Sequence, residues 1–285
     1  MLKVLGQTEP QTDETKAMHK TIFILLDGLR YATARDCLGY MEGLVTAGKA
    51  GIHAVRSELP SISRPLYETL MTGLPPVVHG VTSNGVVRRS RFPNVFSLAS
   101  AAGRTTAASA YHWYFELYNQ APFSPEFRHI ENFDGGIHHG SFYWADHYPD
   151  DHVFADADVL LRRHGPDFLL IHPMNIDNEG HKHGGSSREY RNAARNAGDL
   201  LARYLPAWRA AGYNIIVTSD HGMSDDGNHG GPHETEALVP FYTFGEAFTP
   251  AADAKLAQTD IAGLLCTLLA IADHGLPVPQ GLLSA

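Results

Sequence analysis

The sequence predicts an α/β fold with a mostly parallel central sheet and helices on both faces. Four short apolar runs predict strands, at residues 21–26, 168–171, 214–217 and 239–244. Each run is almost continuously hydrophobic rather than alternating, which is typical of strands buried on both faces, as in a parallel sheet. Helical patterns lie between the runs, and this alternation predicts the α/β class.

Two of the helical patterns are long enough to interpret. Residues 187–211 carry apolar side chains at helical spacing, and Pro206 is expected to kink or split that helix. Residues 260–271 are apolar almost all round, which predicts a packed helix near the end of the sequence.

The stretch 111–150 differs from the rest of the chain. It is rich in aromatic residues, His, Asn and Gly, and it has no clear period. We interpret it as a cap insertion outside the sheet, either a lid over a site or a small cap packed by its own aromatic side chains. Because no linker or repeat interrupts the remainder, we predict one domain over 21–285, preceded by a loosely ordered segment over 1–20.

Composition limits the partners. The chain has 285 residues, 44% of them hydrophobic, and a formal charge of −9. An acidic surface argues against nucleic acid or an anionic membrane as the main partner, but it allows a small phosphorylated substrate. The two cysteines, Cys37 and Cys266, are expected to be buried thiols in a reducing compartment. With no apolar run long enough for a signal peptide or a bilayer span, we expect a cytoplasmic protein. The sequence does not predict an oligomeric state.

Acidic and imidazole side chains follow three of the predicted strands. The carboxyl ends of parallel strands meet at one edge of a sheet, so these side chains are expected to lie close together. They are more numerous than one tetrahedral zinc requires, and they suit two metal ions a few ångström apart. The candidates are Asp27, Asp177, His181, Asp220, His221 and one of the two later histidines, His229 or His233.

Each group alone has a structural explanation. Asp27 begins an Asp-Gly pair, which is usually a turn. Asp177 and His181 fit a helix start followed by a surface histidine. Asp220 and His221 are harder to explain structurally, because an Asp-His pair at a strand end has few such uses. The combination of the three groups favours a metal site.

Ser63 is the candidate nucleophile. The segment 59–73 reads LPSISRPLYETLMTG, and Pro65 fits the first turn of a helix. Ser63 would then lie at the helix N-terminus, where backbone N–H groups and a nearby metal both favour an alkoxide. The alternative is that Ser63 or Ser61 simply caps the helix. Arg64 either adds positive charge to the site or points outward.

The ordered set of motifs resembles the alkaline phosphatase superfamily. The segments are LLDG, PSISRP, TLMTG, HGVTSN, DNEGHKHG and SDHGM, and with the C-terminal part the likeness covers most of the chain. The branch it most resembles is the nucleotide pyrophosphatase/phosphodiesterase group, with a second likeness to ethanolamine-phosphate transferase catalytic domains. The resemblance implies an alkaline-phosphatase-like sandwich, with 21–285 as its single catalytic domain and a small aromatic-rich cap.

The resemblance also implies roles for individual residues. Ser63 matches the metal-bound nucleophile, where the phosphodiesterase branch usually has Thr, and Asn84 matches the Asn that donates to a phosphoryl oxygen. A long insertion that precedes the last His ligand in the larger phosphodiesterases is missing here. The spacing of the transferase branch favours His229 for that place, and the related mutases keep His233 as the alternative. The implied ligand sets are Asp27, Asp220, His221 and Ser63 for one ion, and Asp177, His181 and a third His for the other.

The function implied is a two-metal phosphohydrolase, first of all a phosphodiesterase or nucleotide pyrophosphatase with a phosphoseryl intermediate. Its substrate would be a small phosphorylated molecule such as a nucleotide. Mixed His and carboxylate ligands favour zinc, with manganese and iron as alternatives. A phosphomonoesterase, a phosphonate hydrolase, a transferase and a phosphomutase are compatible with the same site. A non-catalytic metal-binding scaffold is the alternative from another class, although such a scaffold gains nothing from the hydroxyl of Ser63.

Overall fold

An eight-stranded sheet forms the centre of the computed structural model, which describes residues 17–250 and 254–284. Its spatial order is β2-β8-β7-β1-β6-β3-β5-β4. The strands are β1 (Thr21–Leu25), β2 (Ala50–Arg56), β3 (Thr106–Tyr111), β4 (His129–Ile130), β5 (His139–Tyr143), β6 (Phe168–Ile171), β7 (Asn214–Thr218) and β8 (Leu238–Phe244). The five neighbouring strands from β7 to β5 run parallel, which confirms the mostly parallel sheet. The predicted segment 1–20 lies outside the described residues except for its last four.

Helices cover both faces of this sheet. They are α1 (Tyr31–Cys37), α2 (Gly39–Thr46), α3 (Ser63–Thr72), α4 (Pro76–His79), α5 (Val95–Ala101), α6 (Trp113–Tyr118), α7 (Asp150–His164), α8 (Asn175–His183), α9 (Arg188–Ala210), α10 (Glu234–Ala237) and α11 (Ile261–Leu268). Strand β1 shows why the apolar run is continuous. Ile22 and Ile24 pack into the core under α1, α7 and α9, whereas Phe23 and Leu25 pack into the core under α3, α5 and α11. None of the helices in the described part of the chain has both the length and the apolar character needed to cross a membrane.

The apolar run at 239–244 forms a strand, but its direction differs from the expectation. Strand β8 is antiparallel to both β7 and β2. Val239 and Phe241 pack into one core and Tyr242 packs into the other. A continuous apolar run therefore reports burial on both faces, and it does not report the direction of the chain.

Pro206 neither splits the predicted helix nor ends it. Helix α9 runs unbroken from Arg188 to Ala210 with Pro206 inside it. The proline ring is exposed, whereas Leu205 and Trp208 on either side are buried. The missing N–H therefore lies on the solvent side, and the buried face of the helix holds the segment together.

The interpretation of 111–150 as a segment outside the sheet is wrong in part. Strands β4 and β5 lie within it, and β5 pairs in parallel with β3. Strand β5 reads HGSFY, so its small and polar residues hide the strand pattern. Four phenylalanines of the remainder pack with Phe142 of β5 in an aromatic cluster, and they are Phe115, Phe123, Phe127 and Phe133.

The two-sided burial of β1 makes a quantitative prediction. Phe23→Ala removes a fully buried side chain from the middle of the sheet, so we expect the free energy of unfolding to fall by about 3–5 kcal/mol. Val77→Ala is the control, because Val77 is 85% exposed and its loss should change stability by less than about 0.5 kcal/mol. Urea unfolding followed by circular dichroism measures both, and similar values for the two variants would contradict the assignment of this core.

Candidate metal centre

The adjacent strands β7, β1 and β6 deliver the predicted ligands to one edge of the sheet. Asp27 follows β1, Asp220 and His221 follow β7, and Asp177 lies in the first turn of the helix after β6. Gly28 lets the segment after β1 approach Asp177 closely. Its φ is +71°, and a Cβ there would lie 2.8 Å from Oδ1 of Asp177, so a larger residue would not fit. The ligand atoms fall into two groups, Asp27 with Asp220 and His221, and Asp177 with His181 and His229, each within 4.8 Å.

The first group is fully buried. Nε2 of His221 lies 3.2 Å from Oδ2 of Asp220 and 3.5 Å from Oδ1 of Asp27. These two carboxylate oxygens have no hydrogen-bond partner among the described residues. Burial, followed by the charges of Asp220 and Asp177, raises the pKa of Asp27 well above its usual value. Because an unpaired buried carboxylate is costly, the group needs positive charge between its oxygens.

The second group lies beside the first. Nε2 of His229 is 3.1 Å from Nε2 of His181 and 3.7 Å from Oδ1 of Asp177, and the ring of His229 stacks on His221 at 3.7 Å. The hydrogen bond with Asp177 raises the pKa of His181 to about 9, so positive charge is favoured here as well. A proton or a metal ion meets this demand, since both bind the same Nε2.

The three imidazoles are oriented in the same way. Nδ1 of each lies at hydrogen-bond distance from a backbone carbonyl, which is Gly227 for His181, Ser61 for His229 and Gly222 for His221, at 2.8, 2.8 and 2.9 Å. A carbonyl oxygen only accepts, so the proton of a neutral ring lies on Nδ1 and the lone pair of Nε2 faces the site. Metal-ligating histidines usually have this arrangement. The donor set, the ring orientation and the unpaired carboxylate oxygens together fit two divalent cations.

Ser63 lies at the edge of the first group. It is the first residue of α3, and its buried Oγ is 3.1 Å from Nε2 of His221. The helix cap is Ile62, which makes no side-chain capping bond, and the hydroxyl of Ser61 donates to the carbonyl of Gly231. The alternative that Ser63 or Ser61 is the helix cap is therefore wrong.

The neighbours of Ser63 have different positions. Oδ1 of Asn84 accepts the backbone N–H of Arg64 at 3.0 Å, which places the Asn84 amide beside the start of helix α3. The guanidinium of Arg64 is buried under Trp113 and forms an ion pair of 2.7 Å with Glu116. Neither expectation for Arg64 is confirmed, because the side chain turns into the protein and its charge is neutralised there.

His233 lies apart from both groups of ligand atoms. It caps the short helix α10, and its Nδ1 is 2.8 Å from the hydroxyl of Thr235. Its side chain is exposed, whereas His229 is largely buried against Asp177. The structure therefore brings His229, and not His233, to the second group.

The sequence reasoning missed two residues that contact Asp27. The hydroxyl of Tyr67 and Nε2 of His172 both hydrogen-bond to Oδ2 of Asp27. A signal for each was present in the sequence. Tyr67 lies one helical turn after Ser63 and so shares its face of the helix, and His172 directly follows the apolar run of β6.

Comparison with known proteins gives a family and several relatives. The family model for type I phosphodiesterase/nucleotide pyrophosphatase matches residues 21–242. The catalytic subunit of human GPI ethanolamine phosphate transferase 2 is 24% identical over 282 residues, which cover 92% of this chain and 27% of that protein. Mouse GPI ethanolamine phosphate transferase 1 is 38% identical over 82 residues, or 27% of this chain and 9% of that protein. The chain thus spans about a quarter or less of the length of these relatives.

Solved structures share the fold. Murine ectonucleotide pyrophosphatase/phosphodiesterase 5, in an inactive form in complex with AMP, has a TM-score of 0.71 and 16% identity, and the match covers 93% of this chain and 100% of that one. Phosphonoacetate hydrolase from Sinorhizobium meliloti 1021, in complex with phosphonoformate, has a TM-score of 0.53 and 23% identity over 72% of this chain and 57% of that one. The predicted alkaline-phosphatase-like sandwich is confirmed.

Because His229 and His233 lie in different places, we expect their alanine variants to bind different numbers of metal ions. His229→Ala removes an imidazole from the second group, so we expect it to retain one zinc ion per chain after dialysis, against two for the unmodified protein. His233→Ala should retain two. Elemental analysis by plasma mass spectrometry gives the counts, and a loss of zinc from His233→Ala but not from His229→Ala would contradict the assignment.

Proposed function

The chain belongs to the type I phosphodiesterase/nucleotide pyrophosphatase family, and from this premise we propose that it is a two-metal phosphodiesterase that acts through Ser63. The observation that carries the proposal is the hydroxyl of Ser63, 3.1 Å from His221, at the edge of a cluster of unpaired carboxylate oxygens. Phosphoryl transfer requires a nucleophile next to positive charge, and the unpaired carboxylate oxygens beside Ser63 favour such charge.

The proposed ligand sets follow the two groups of side chains. They are Asp27, Asp220, His221 and Ser63 for one ion, and Asp177, His181 and His229 for the other. Their mixture of imidazole and carboxylate favours zinc, with manganese and iron as alternatives. When bound, such ions lower the pKa of a hydroxyl or water that they contact and neutralise charge on phosphoryl oxygens.

The protein residues then perform a displacement in two steps. Ser63 Oγ, with its proton lost to solvent, attacks phosphorus and forms a new P–O bond, while the bond to the leaving alcohol breaks and its oxygen takes a proton. A water oxygen next attacks the phosphoseryl group, loses a proton to solvent and releases Ser63. Two steps with the same in-line geometry turn one difficult displacement into two easier ones.

Two groups of the protein would stabilise the negative charge on the transferred phosphoryl group. The amide oxygen of Asn84 accepts the N–H of Arg64, so the NH₂ group of Asn84 is available to donate to a phosphoryl oxygen. The N-terminus of the ten-residue helix α3 adds its positive dipole end at Ser63. The side chain of Arg64 takes no part in this, because Glu116 neutralises it.

The proposed substrate is a small phosphodiester, first of all one with a nucleoside group. The family and the AMP complex of the structural relative support this choice.

At the start of the cap segment 111–150, His112 and Trp113 are only partly buried, and Trp144 is 47% exposed. We propose that the parts of this segment outside β3, β4 and β5 form a cap on a single catalytic domain over 21–285. We also propose that the protein is cytoplasmic, as its two buried free thiols support.

A phosphoethanolamine transferase is the second candidate. Its support is the likeness to the GPI ethanolamine phosphate transferase, which extends over 92% of this chain. Both reactions would form a phosphodiester with Ser63. In the transferase this intermediate carries ethanolamine rather than a nucleoside, and an alcohol rather than water attacks it.

A comparison of three p-nitrophenyl substrates tests the proposal. They are p-nitrophenyl phosphate, the p-nitrophenyl ester of thymidine monophosphate and the p-nitrophenyl ester of phosphoethanolamine, given to metal-depleted protein reloaded with zinc or manganese. We expect the thymidine diester to turn over fastest, no turnover without metal, and a loss of about a thousandfold or more in Ser63→Ala.

Ser83→Ala is the matched control, since Ser83 is an exposed serine in the loop that carries Asn84 and its loss should leave the rate unchanged. Faster release from the phosphoethanolamine ester, accelerated by added alcohol, would favour the transferase. Preference for the monoester would favour a phosphomonoesterase. A metal-loaded protein with no turnover of any ester would favour a phosphonate substrate or the scaffold, and full activity in Ser63→Ala would contradict the nucleophile.

A further inference from the structure

The two oxygens of Asp27 have very different surroundings. Oδ2 accepts hydrogen bonds from the hydroxyl of Tyr67 and from Nε2 of His172, the latter at 2.9 Å. Oδ1 has no hydrogen-bond partner in the described structure and lies 3.5 Å from Nε2 of His221. One oxygen is thus fully used inside the protein, and the other faces the candidate metal position.

The ring of His172 is fixed in one tautomer. Its Nδ1 accepts the backbone N–H of Tyr111 at 3.4 Å, so the proton lies on Nε2 and is donated to Asp27. The backbone of His172 is held as well, because its N–H donates to the carbonyl of Ser109 and its carbonyl accepts from the hydroxyl of Tyr143. The donor therefore belongs to the rigid end of β6 between its neighbours.

The second donor belongs to the nucleophile helix. Tyr67 lies four residues after Ser63 in α3, so both side chains point to the same side of the helix. Its ring stacks on Tyr114 with centroids 4.6 Å apart, and it makes a T-shaped contact with the ring of His172. The hydroxyl of Tyr67 thereby links the helix that presents Ser63 to the carboxylate of Asp27.

We propose that Tyr67 and His172 are positioning residues that fix the rotation of the Asp27 carboxylate, so that Oδ1 is presented to a metal ion in register with Ser63. The χ2 torsion of an aspartate has a broad distribution, and two hydrogen bonds donated to one oxygen restrict it. The inference rests on the proposed two-metal function and adds to it which residues hold its first ligand.

A purely structural role makes a different prediction. If the two donors only satisfied a buried oxygen, their loss would lower the stability of the metal-free protein and weaken both ions alike. A positioning role weakens only the ion held by Asp27. Loss of an outer partner of a metal ligand typically costs about tenfold to a hundredfold in affinity.

The experiment measures zinc affinity at one site at a time, by competition with a chromogenic chelator. In the His229→Ala background the remaining ion is the one held by Asp27, and in the Asp220→Ala background it is the other ion. Adding Tyr67→Phe should weaken zinc binding by about tenfold to a hundredfold in the first background and leave it unchanged in the second.

Tyr114→Phe is the matched control for this variant. Tyr114 is a buried tyrosine of the same stack, and its hydroxyl has no hydrogen-bond partner in the part of the chain that the structure describes. Removing that hydroxyl should leave both zinc affinities unchanged. Thermal unfolding of the metal-free variants shows whether each is folded.

His172 gives an independent second test. His172→Leu should weaken zinc at the Asp27 site as Tyr67→Phe does, whereas His172→Gln keeps one acceptor and one donor and should restore most of the affinity. Equal affinities in Tyr67→Phe and Tyr114→Phe, or equal weakening of both ions, would overturn the inference alone. If the unmodified protein binds none of zinc, manganese and iron at these residues, the proposed function fails and the inference falls with it.

Discussion

Three buried carboxylates at one edge of the sheet are the constraint on which the rest of the site depends. Asp27, Asp177 and Asp220 are at most 4% exposed, and each has one oxygen with no hydrogen-bond partner among the described residues. The sheet order leaves little choice, because β7, β1 and β6 are neighbours and their parallel direction brings all three strand ends together. Such a concentration of negative charge is stable only with positive charge inside it.

The surrounding chain is arranged to accept that positive charge. Three imidazoles turn their Nδ1 atoms to backbone carbonyls and their Nε2 atoms to the carboxylates. The carbonyl that orients His229 belongs to Ser61, two residues before Ser63. The loop that leads into α3 therefore also orients a histidine of the second group, so the proposed nucleophile Ser63 and both groups share one support.

Much of the fold could be predicted from the sequence, for identifiable reasons. Strands β1, β6 and β7 are covered on both faces, and burial on both faces gives a continuous apolar run. Strand β3 reads TAASAY and is just as buried, but its small residues give no such run, and the edge strand β2 includes Gly51 and His53. The antiparallel direction of β8 depends on the strands it pairs with, which the sequence does not encode locally.

The residues of the candidate site also divide into those that the local sequence predicts and those that it does not. The position of each ligand after a strand, and of Ser63 at a helix start, is a local property, so those residues were recognisable. The residues alone left His229 and His233 open, because both lie in one loop; only the family resemblance favoured His229, which the fold brings to Asp177. Tyr67 and His172 escaped because their importance lies in a contact with Asp27, 40 and 145 residues away in the chain.

We propose that these side chains together hold two metal ions beside Ser63. Anomalous diffraction at the zinc edge from crystals of the zinc-loaded protein tests it most directly. We expect two anomalous peaks, one among Asp27, Asp220 and His221 within reach of Ser63, and one among Asp177, His181 and His229. A single peak, or peaks bound to other residues, would contradict it.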